Sequence, residues 1–132
     1  PDLYDGKSTT EPDEAGSLMM ALNIEATARK LDAGIEWLLD QPNVAKSKVG
    51  ILGFCMGGQL ATYAATQSTR IGAAVNFYGI HPSVTPEFER LEAPLLGIFA
   101  EHDEYASPAA VRAMSDTLNQ LRKAHEFVTY PD

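Results

Sequence analysis

The chain of 132 residues is long enough to form one domain with a hydrophobic core, and its hydrophobic content of 45% is ordinary for a globular protein. Its formal net charge of −8 argues against nucleic acid or an anionic membrane as the main partner. No apolar run reaches membrane-spanning length, and a single cysteine excludes an internal disulfide, so we expect a soluble cytoplasmic protein without a thiolate zinc site.

The first third of the chain predicts a polar segment followed by a long helix. Residues 1–14 are polar and rich in turn-forming residues. From about Ser17 to Asp40, apolar residues recur at helical spacing, with or without a break near Asn23. The stretch Gln41-Pro42-Asn43 is expected to end this helix.

The remainder of the chain alternates strands with helices. Short, continuously apolar runs predict buried strands over 48–54, 71–78 and 94–100, and a last strand over 126–130. Helices are predicted over 56–67 and from the cap Ser107-Pro108 to about Lys123. A loop-like link joins the second and third strands. The alternation predicts an α/β fold with a parallel sheet of about four strands and flanking helices.

The single cysteine lies in the stretch GFCMG at residues 53–57, between a predicted strand and a predicted helix. This spacing fits the nucleophile elbow, G-x-nucleophile-x-G, in which the central residue occupies a strained corner. Residues two positions to either side must be small because the turn brings them close together, and Gly53 and Gly57 meet that need.

An elbow would also give the Cys55 thiol its chemistry. It places the sulfur at the carboxyl end of a strand and the N-terminus of a helix, where the thiolate is favoured. The Met56 N–H can then donate to an oxyanion, and Gly58 allows the helix to pack closely on the sheet. The alternative is a buried structural cysteine beside a glycine-rich strand end.

Further stretches accompany the elbow in chain order: PDLY at 1–4, KVGILGFCMGG at 48–58, AVNFYG at 74–79, FAEHD at 99–103 and VTYP at 128–131. Together they resemble the dienelactone hydrolase family, α/β-hydrolases with a Cys-His-Asp triad. The resemblance implies hydrolysis of a small-molecule ester or lactone without metal or organic cofactor. The resemblance assigns Cys55 as nucleophile and Asp103 as the acid that orients the histidine. Without the resemblance, Asp103 would be interpreted as a solvated loop carboxylate.

Parts of the family pattern have no counterpart in the 132 residues. The family's base histidine follows the final strand, and its second oxyanion donor lies on a loop after an early strand. We therefore expect residues 1–132 to be one partial domain, the C-terminal part of an α/β-hydrolase fold. The type member's arginine and tyrosine around the substrate carboxylate are also absent from residues 11–20, which leaves the substrate open.

Of the three histidines, His81 is the only plausible substitute base, because it follows the strand 71–78 at the correct end. A loop histidine before a proline is the alternative. His125 precedes the last strand and is expected at the surface, at the amino end of the sheet. His102 adjoins Asp103, but neighbouring side chains diverge.

Two other functions stay open. The stretch 53–59 also resembles the G-x-C-x-G-x-Q elbow of class I glutamine amidotransferases, and the chain could equally be a non-catalytic, oligomeric remnant of a hydrolase. Because the strand 48–54 without its neighbours would expose an apolar edge, we expect a homodimer or a domain-swapped oligomer.

Overall fold

The computed structural model describes residues 1–45 and 47–131. These residues contain four helices, one short 3₁₀ turn and four strands, joined by loops. In chain order they are α1 (Pro12–Met20), α2 (Ile24–Asp40), β1 (Val49–Phe54), α3 (Met56–Gln67), β2 (Ile71–Phe77), the 3₁₀ turn (Phe88–Arg90), β3 (Leu95–Ala100), α4 (Pro108–Gln120) and β4 (His125–Tyr130).

The four strands form one parallel sheet in the order β1-β2-β3-β4. This arrangement confirms the predicted α/β class. Because the strands are parallel and adjacent in sequence order, the segments that follow them all emerge at one edge of the sheet. Residues at this carboxyl edge are therefore brought together whatever their separation in the chain.

Helices cover one face of the sheet. The main core cluster draws its side chains from α2, α3 and α4 and from the strand positions that face them. Its members include Ile35, Ala64, Ala65, Ile71, Ala74, Leu95, Phe99, Val111, Met114 and Leu118. A smaller cluster joins Met56 and Leu60 of α3 to Val84 in the link between β2 and β3.

The opposite face of the sheet is mostly apolar and has no helix on it within the described residues; we call it the open face. The register aligns Leu52 with Val75 and Leu96, and Phe54 with Phe77 and Ile98. Phe54 and Phe77 stack with ring centroids 4.6 Å apart. The apolar members of the open face are Leu52, Phe54, Val75, Phe77, Leu96, Ile98, Val128 and Tyr130, of which Leu52 is 61% exposed and Tyr130 is 58% exposed. Glu126, which pairs with Leu96, is the charged residue on this face.

The chain departs from the sequence-based prediction near its start. A helix begins at Pro12, within a segment expected to be polar and turn-rich. A proline at the first helical position, with Asp13 and Glu14 in the first turn, is a helix-start signal that outweighs the polar composition. The break near Asn23 is present, and its side chain caps α2 by accepting from the Ala26 N–H at 2.9 Å.

Candidate active site

Cys55 occupies a sharp corner between β1 and α3. Its backbone has φ 54° and ψ −129°, and it is the N-cap residue of α3. A positive φ is uncommon for a residue with a side chain and persists only where the surroundings enforce it. The thiol is free and the residue is exposed, so the interpretation of Cys55 as a buried structural cysteine is wrong.

Backbone hydrogen bonds hold the corner on both sides. The Cys55 N–H donates to the Phe77 carbonyl at 2.9 Å, which extends the β1–β2 pairing by one residue. The Cys55 carbonyl accepts from the N–H groups of Gly58 at 2.9 Å and Gln59 at 3.3 Å. The residue is thus anchored at its N–H to the sheet and at its carbonyl to the helix.

Close approach explains two of the three glycines around the corner. A Cβ at Gly53 would lie 2.0 Å from the Gly57 carbonyl oxygen, and a Cβ at Gly58 would lie 2.3 Å from Asn76 Oδ1. Gly57 differs from the expectation, because a Cβ there would meet nothing within 4 Å among the described residues. The turn brings the Gly57 backbone, not its Cα substituent, against Gly53, so lack of room does not require glycine at position 57.

Met56 begins α3, directly after the corner. Its N–H belongs to the first turn of the helix, whose donors have no carbonyl partner inside the helix. Its side chain is buried, 7% exposed, and packs with Leu60 and Val84. This packing fixes the start of the helix, so the Met56 N–H has a defined position beside the Cys55 thiol.

Asp103 lies in the loop after β3, at the same edge of the sheet as Cys55. It is half-buried, and its Oδ1 accepts from the backbone N–H groups of Tyr105 at 2.7 Å and Ala106 at 2.9 Å. These two bonds fix the carboxyl group in the loop. Since β2 separates β1 from β3, the strand ends that carry Cys55 and Asp103 are about 10 Å apart, a gap that one further side chain can bridge.

His81 follows β2 and lies at the same edge of the sheet as Cys55. It is half-buried after β2, and its Nδ1 accepts from the Ser83 N–H at 3.2 Å. This hydrogen bond engages the Nδ1 lone pair within the turn after β2. The role of His81 as a substitute base stays a prediction.

His125 and His102 occupy different places. His125 starts β4 at the amino end of the sheet, as expected, but it is half-buried rather than a surface residue: its Nε2 pairs with Ser115 Oγ at 2.9 Å and its Nδ1 with the Lys123 carbonyl oxygen at 3.0 Å. Its ring also packs edge-on against Phe127. His102 lines an open recess between the ends of β3 and β4 and the start of α4.

Two polar residues lie near the corner: Asn76, which was not singled out in the sequence, and Gln59, which entered only as part of the amidotransferase-like pattern at 53–59. Asn76 and Gln59 are both buried, and the Gln59 Nε2 donates to the Val84 carbonyl at 2.9 Å. The available signal was a lone polar residue inside the apolar run IGAAVNF of β2. Across residues 1–45 and 47–131, His, Cys, Asp and Glu form no group that could hold a metal ion, and no helix there is long and apolar enough to cross a membrane.

These features together define an α/β-hydrolase fold: a parallel sheet, a strained residue at a strand-to-helix corner, glycines packed tightly beneath that corner and a carboxylate two strands away. The comparison with protein families gives the particular group. The model of the dienelactone hydrolase family matches residues 1–132, and the chain belongs to this family.

Curated relatives agree with this assignment. The chain is 36% identical to Protein usf of Aquifex pyrophilus over 112 residues, which covers 81% of this chain and 48% of the relative. It is 32% identical to the carboxymethylenebutenolidase homolog of Mus musculus over 134 residues, which covers 98% of this chain and 52% of the relative. The chain thus spans about half the length of these relatives.

A solved structure shows the same fold. The crystal structure of a candidate dienelactone hydrolase from Klebsiella pneumoniae superposes with a TM-score of 0.85 at 23% sequence identity. The superposition covers all of this chain and 60% of that one. At this identity the likeness supports the arrangement of strands and helices and not a particular substrate.

Proposed function

We propose that this chain carries the nucleophile and the acid of a hydrolase that cleaves ester or lactone bonds through Cys55. The single observation that carries the proposal is the exposed Cys55 thiol on a corner with φ 54° at the start of α3. A helix N-terminus favours the thiolate, and an exposed corner leaves the sulfur accessible to a carbonyl carbon.

The proposed first step is acylation of the cysteine. The Cys55 thiolate forms a bond to the carbonyl carbon, and the oxyanion that results accepts a hydrogen bond from the Met56 N–H. Collapse of this intermediate restores the carbonyl and breaks the bond to the alcohol oxygen, which leaves with its electron pair. In the second step water gives a proton to a base and attacks the thioester carbon, and the C–S bond breaks with its electron pair returning to the Cys55 sulfur, which releases the acid.

The second step needs a base, and we propose that a histidine outside these 132 residues supplies it. Asp103 is the group proposed to orient this histidine, because its carboxyl is fixed by two backbone donors at the correct edge of the sheet. An imidazole between the ends of β1 and β3 would reach both side chains. The relatives, about twice as long as this chain, support a site that is completed elsewhere.

The relatives' names support lactones among the proposed substrates. The name carboxymethylenebutenolidase belongs to a Pseudomonas putida protein that is 33% identical over 89 residues, 61% of this chain and 37% of that protein. The amidotransferase alternative loses support, since the family match covers the whole chain and Gln59 is buried with its amide turned to the Val84 carbonyl. A free, exposed thiol supports a reducing cytoplasmic location.

We also propose that the 132-residue chain by itself associates with a second copy through the open face. Its accessible surface of 8086 Å² exceeds the roughly 6,800 Å² of a typical monomer of its mass by about 1,300 Å². One partner's share of a standard interface is about 800 Å². The excess surface is thus large enough for a stable dimer.

The cysteine proposal is tested by acylation with p-nitrophenyl acetate, followed by mass spectrometry of the intact chain. We expect the folded chain to gain one acetyl group at Cys55 at least tenfold faster than the same chain unfolded in urea. Alkylation by iodoacetamide, measured in parallel, corrects for simple exposure of the thiol.

The unfolded chain is the matched control because Cys55 is the only cysteine, so the same thiol is compared with and without its corner. Cys55→Ala must abolish the label. A ratio of acylation to alkylation that is equal in the folded and unfolded chains would contradict the proposed nucleophile and favour the non-catalytic remnant.

A further inference from the structure

One polar side chain is fully buried beneath the nucleophile corner. Asn76 belongs to β2, faces α3 and is 0% exposed. A buried carboxamide without partners destabilises a fold, so its presence in an otherwise apolar strand calls for a specific set of hydrogen bonds.

Those hydrogen bonds are present and fix the amide in one orientation. Asn76 Nδ2 donates to the Gly79 carbonyl at 2.8 Å and to Thr62 Oγ1 at 3.1 Å, while Asn76 Oδ1 accepts from the Gly79 N–H at 2.7 Å. Reversing the amide would set donor against donor and acceptor against acceptor at Gly79. The side chain therefore locks the turn that leaves β2.

The locked turn lies directly against the corner. A Cβ on Gly79 would be 2.4 Å from the Cys55 carbonyl oxygen and 2.4 Å from the Gln59 nitrogen. On the helix side, Thr62 Oγ1 donates to the Gly58 carbonyl at 3.0 Å. The carboxamide of Asn76 thus joins the exit of β2 to the first turn of α3, which carries the Met56 N–H.

Two residues beside this turn, Tyr78 and Cys55, have strained backbone angles. Tyr78, which the Asn76–Gly79 bonds span, has φ 44°, and Cys55 at the end of the neighbouring strand has φ 54°. Two residues with side chains in the left-handed region, side by side at adjacent strand ends, need a rigid support. Asn76 lies under both.

We propose that Asn76 is a positioning residue that sets the Met56 N–H relative to the Cys55 sulfur. This inference rests on the proposed function, because it concerns the same nucleophile. Asn76 touches neither substrate nor sulfur; it acts through Gly79 and Thr62.

The chemistry separates positioning from mere stability. Acylation by p-nitrophenyl acetate forms the S–C bond, expels p-nitrophenolate with the electron pair of the broken C–O bond and needs the oxyanion donor. Alkylation by iodoacetamide forms an S–C bond and expels iodide with no oxyanion. A shift of α3 therefore slows acylation and spares alkylation.

The test measures both rates in the folded chain and in variants. Asn76→Asp keeps the acceptor for the Gly79 N–H but sets an oxygen against the Gly79 carbonyl, and we expect about tenfold slower acylation with alkylation within twofold. Thr62→Val should lower acylation by a smaller factor, and Thr62→Ser should restore it. Thr66→Val is the control, since Thr66 is also buried on α3 but donates to the Tyr63 carbonyl, away from the corner.

Each outcome decides a separate question. If the original chain acylates no faster relative to alkylation than it does in urea, the proposed function fails. The positioning role of Asn76 is overturned by a different result. In that result the original chain acylates faster than in urea, but the Asn76 and Thr62 variants have the same ratio of acylation to alkylation as Thr66→Val. If Asn76→Asp does not fold, the pair Thr62→Val and Thr62→Ser decides alone.

Discussion

At the scale of single residues, the corner depends on the missing side chain of Gly53. An alanine there would place its Cβ 2.0 Å from the Gly57 carbonyl oxygen, a backbone atom that cannot rotate away. Relief requires moving β1 from α3, and we expect Gly53→Ala to lower the free energy of unfolding by about 2–3 kcal/mol or more. Urea unfolding followed by circular dichroism measures this difference.

Gly57→Ala is the matched control, four residues away on the other side of Cys55. Its Cβ would meet nothing within 4 Å in the described part of the chain, and Gly57 is helical without a positive φ. Alanine at a helical position is favoured over glycine by up to about 1 kcal/mol, so this variant should be as stable as the original or slightly more stable. Equal stability of the two alanine variants would refute the close-approach argument.

The residues that could be placed from sequence alone are those whose surroundings are local. Gly53 and Cys55 follow from a five-residue pattern, because the strain of the turn arises within it. His125 was placed at the correct end of the sheet, but its burial against Ser115 and Phe127 depends on how α4 packs on β4. Asn76 stands out as a lone polar residue in the apolar run of β2, but its partner Thr62 on α3 is distant in the chain and follows from no local pattern.

At the scale of elements, an acid-sensitive contact ties the link between β2 and β3 to the end of α3. Gln67 Nε2 donates to Glu87 Oε1 at 3.1 Å, and Arg90 Nη1 lies 3.3 Å from Glu87 Oε2. These two donors hold the pKa of Glu87 below its ordinary value of 4.5. A carboxyl whose pKa is lowered by folding stabilises the folded state at pH values above its ordinary pKa. That contribution disappears as the pH falls through the lowered pKa of the folded state. Glu87→Gln should therefore lower the unfolding free energy at pH 6 and have no effect in strong acid.

Glu89→Gln serves as the control because Glu89 lies in the 3₁₀ turn that directly follows Glu87, and its carboxylate accepts no hydrogen bond within residues 1–45 and 47–131. Chemical unfolding of both variants between pH 3 and pH 7 provides the measurement. The expected result is a stability difference that grows with rising pH for Glu87→Gln only. Parallel pH curves for the two variants would contradict the assigned role of the Glu87 contact.

The elements themselves could be predicted where their signals are periodic. Three strands and α3 follow from apolar runs and their intervals, because a parallel sheet buries each strand on both faces. The start of α1 was missed because a polar first turn reads as a loop unless the capping signal at Glu11-Pro12 is given more weight than composition. The 3₁₀ turn at Phe88–Arg90 has no periodic signal at all.

At the scale of the whole molecule, the sheet has one face covered by helices and one face uncovered within the described residues. Parallel sheets in α/β proteins are buried on both faces, since their strands are apolar on both sides. Leu52, Phe54 and Tyr130 are each more than half exposed on the open face, so water contacts rings and aliphatic side chains that favour burial. Sequence reasoning anticipated an exposed apolar edge and exposed apolar faces, and the uncovered face spans all four strands with Glu126 as its charged residue.

The proposed second copy on the open face predicts a change of mass with a single substitution. Light scattering after size-exclusion chromatography should give a dimer or a larger oligomer for the 132-residue chain. Leu52→Lys places a charge on the edge strand β1 of the open face and should shift the chain toward the monomer, with about a tenfold or greater loss of affinity, because burying an unpaired ammonium group is unfavourable. Met20→Lys on α1 is the control, since Met20 is equally exposed at 59% but lies outside the open face, and it should leave the mass unchanged. A stable monomer for the unaltered chain, or equal masses for the two lysine variants, would show that the open face does not bind a second copy.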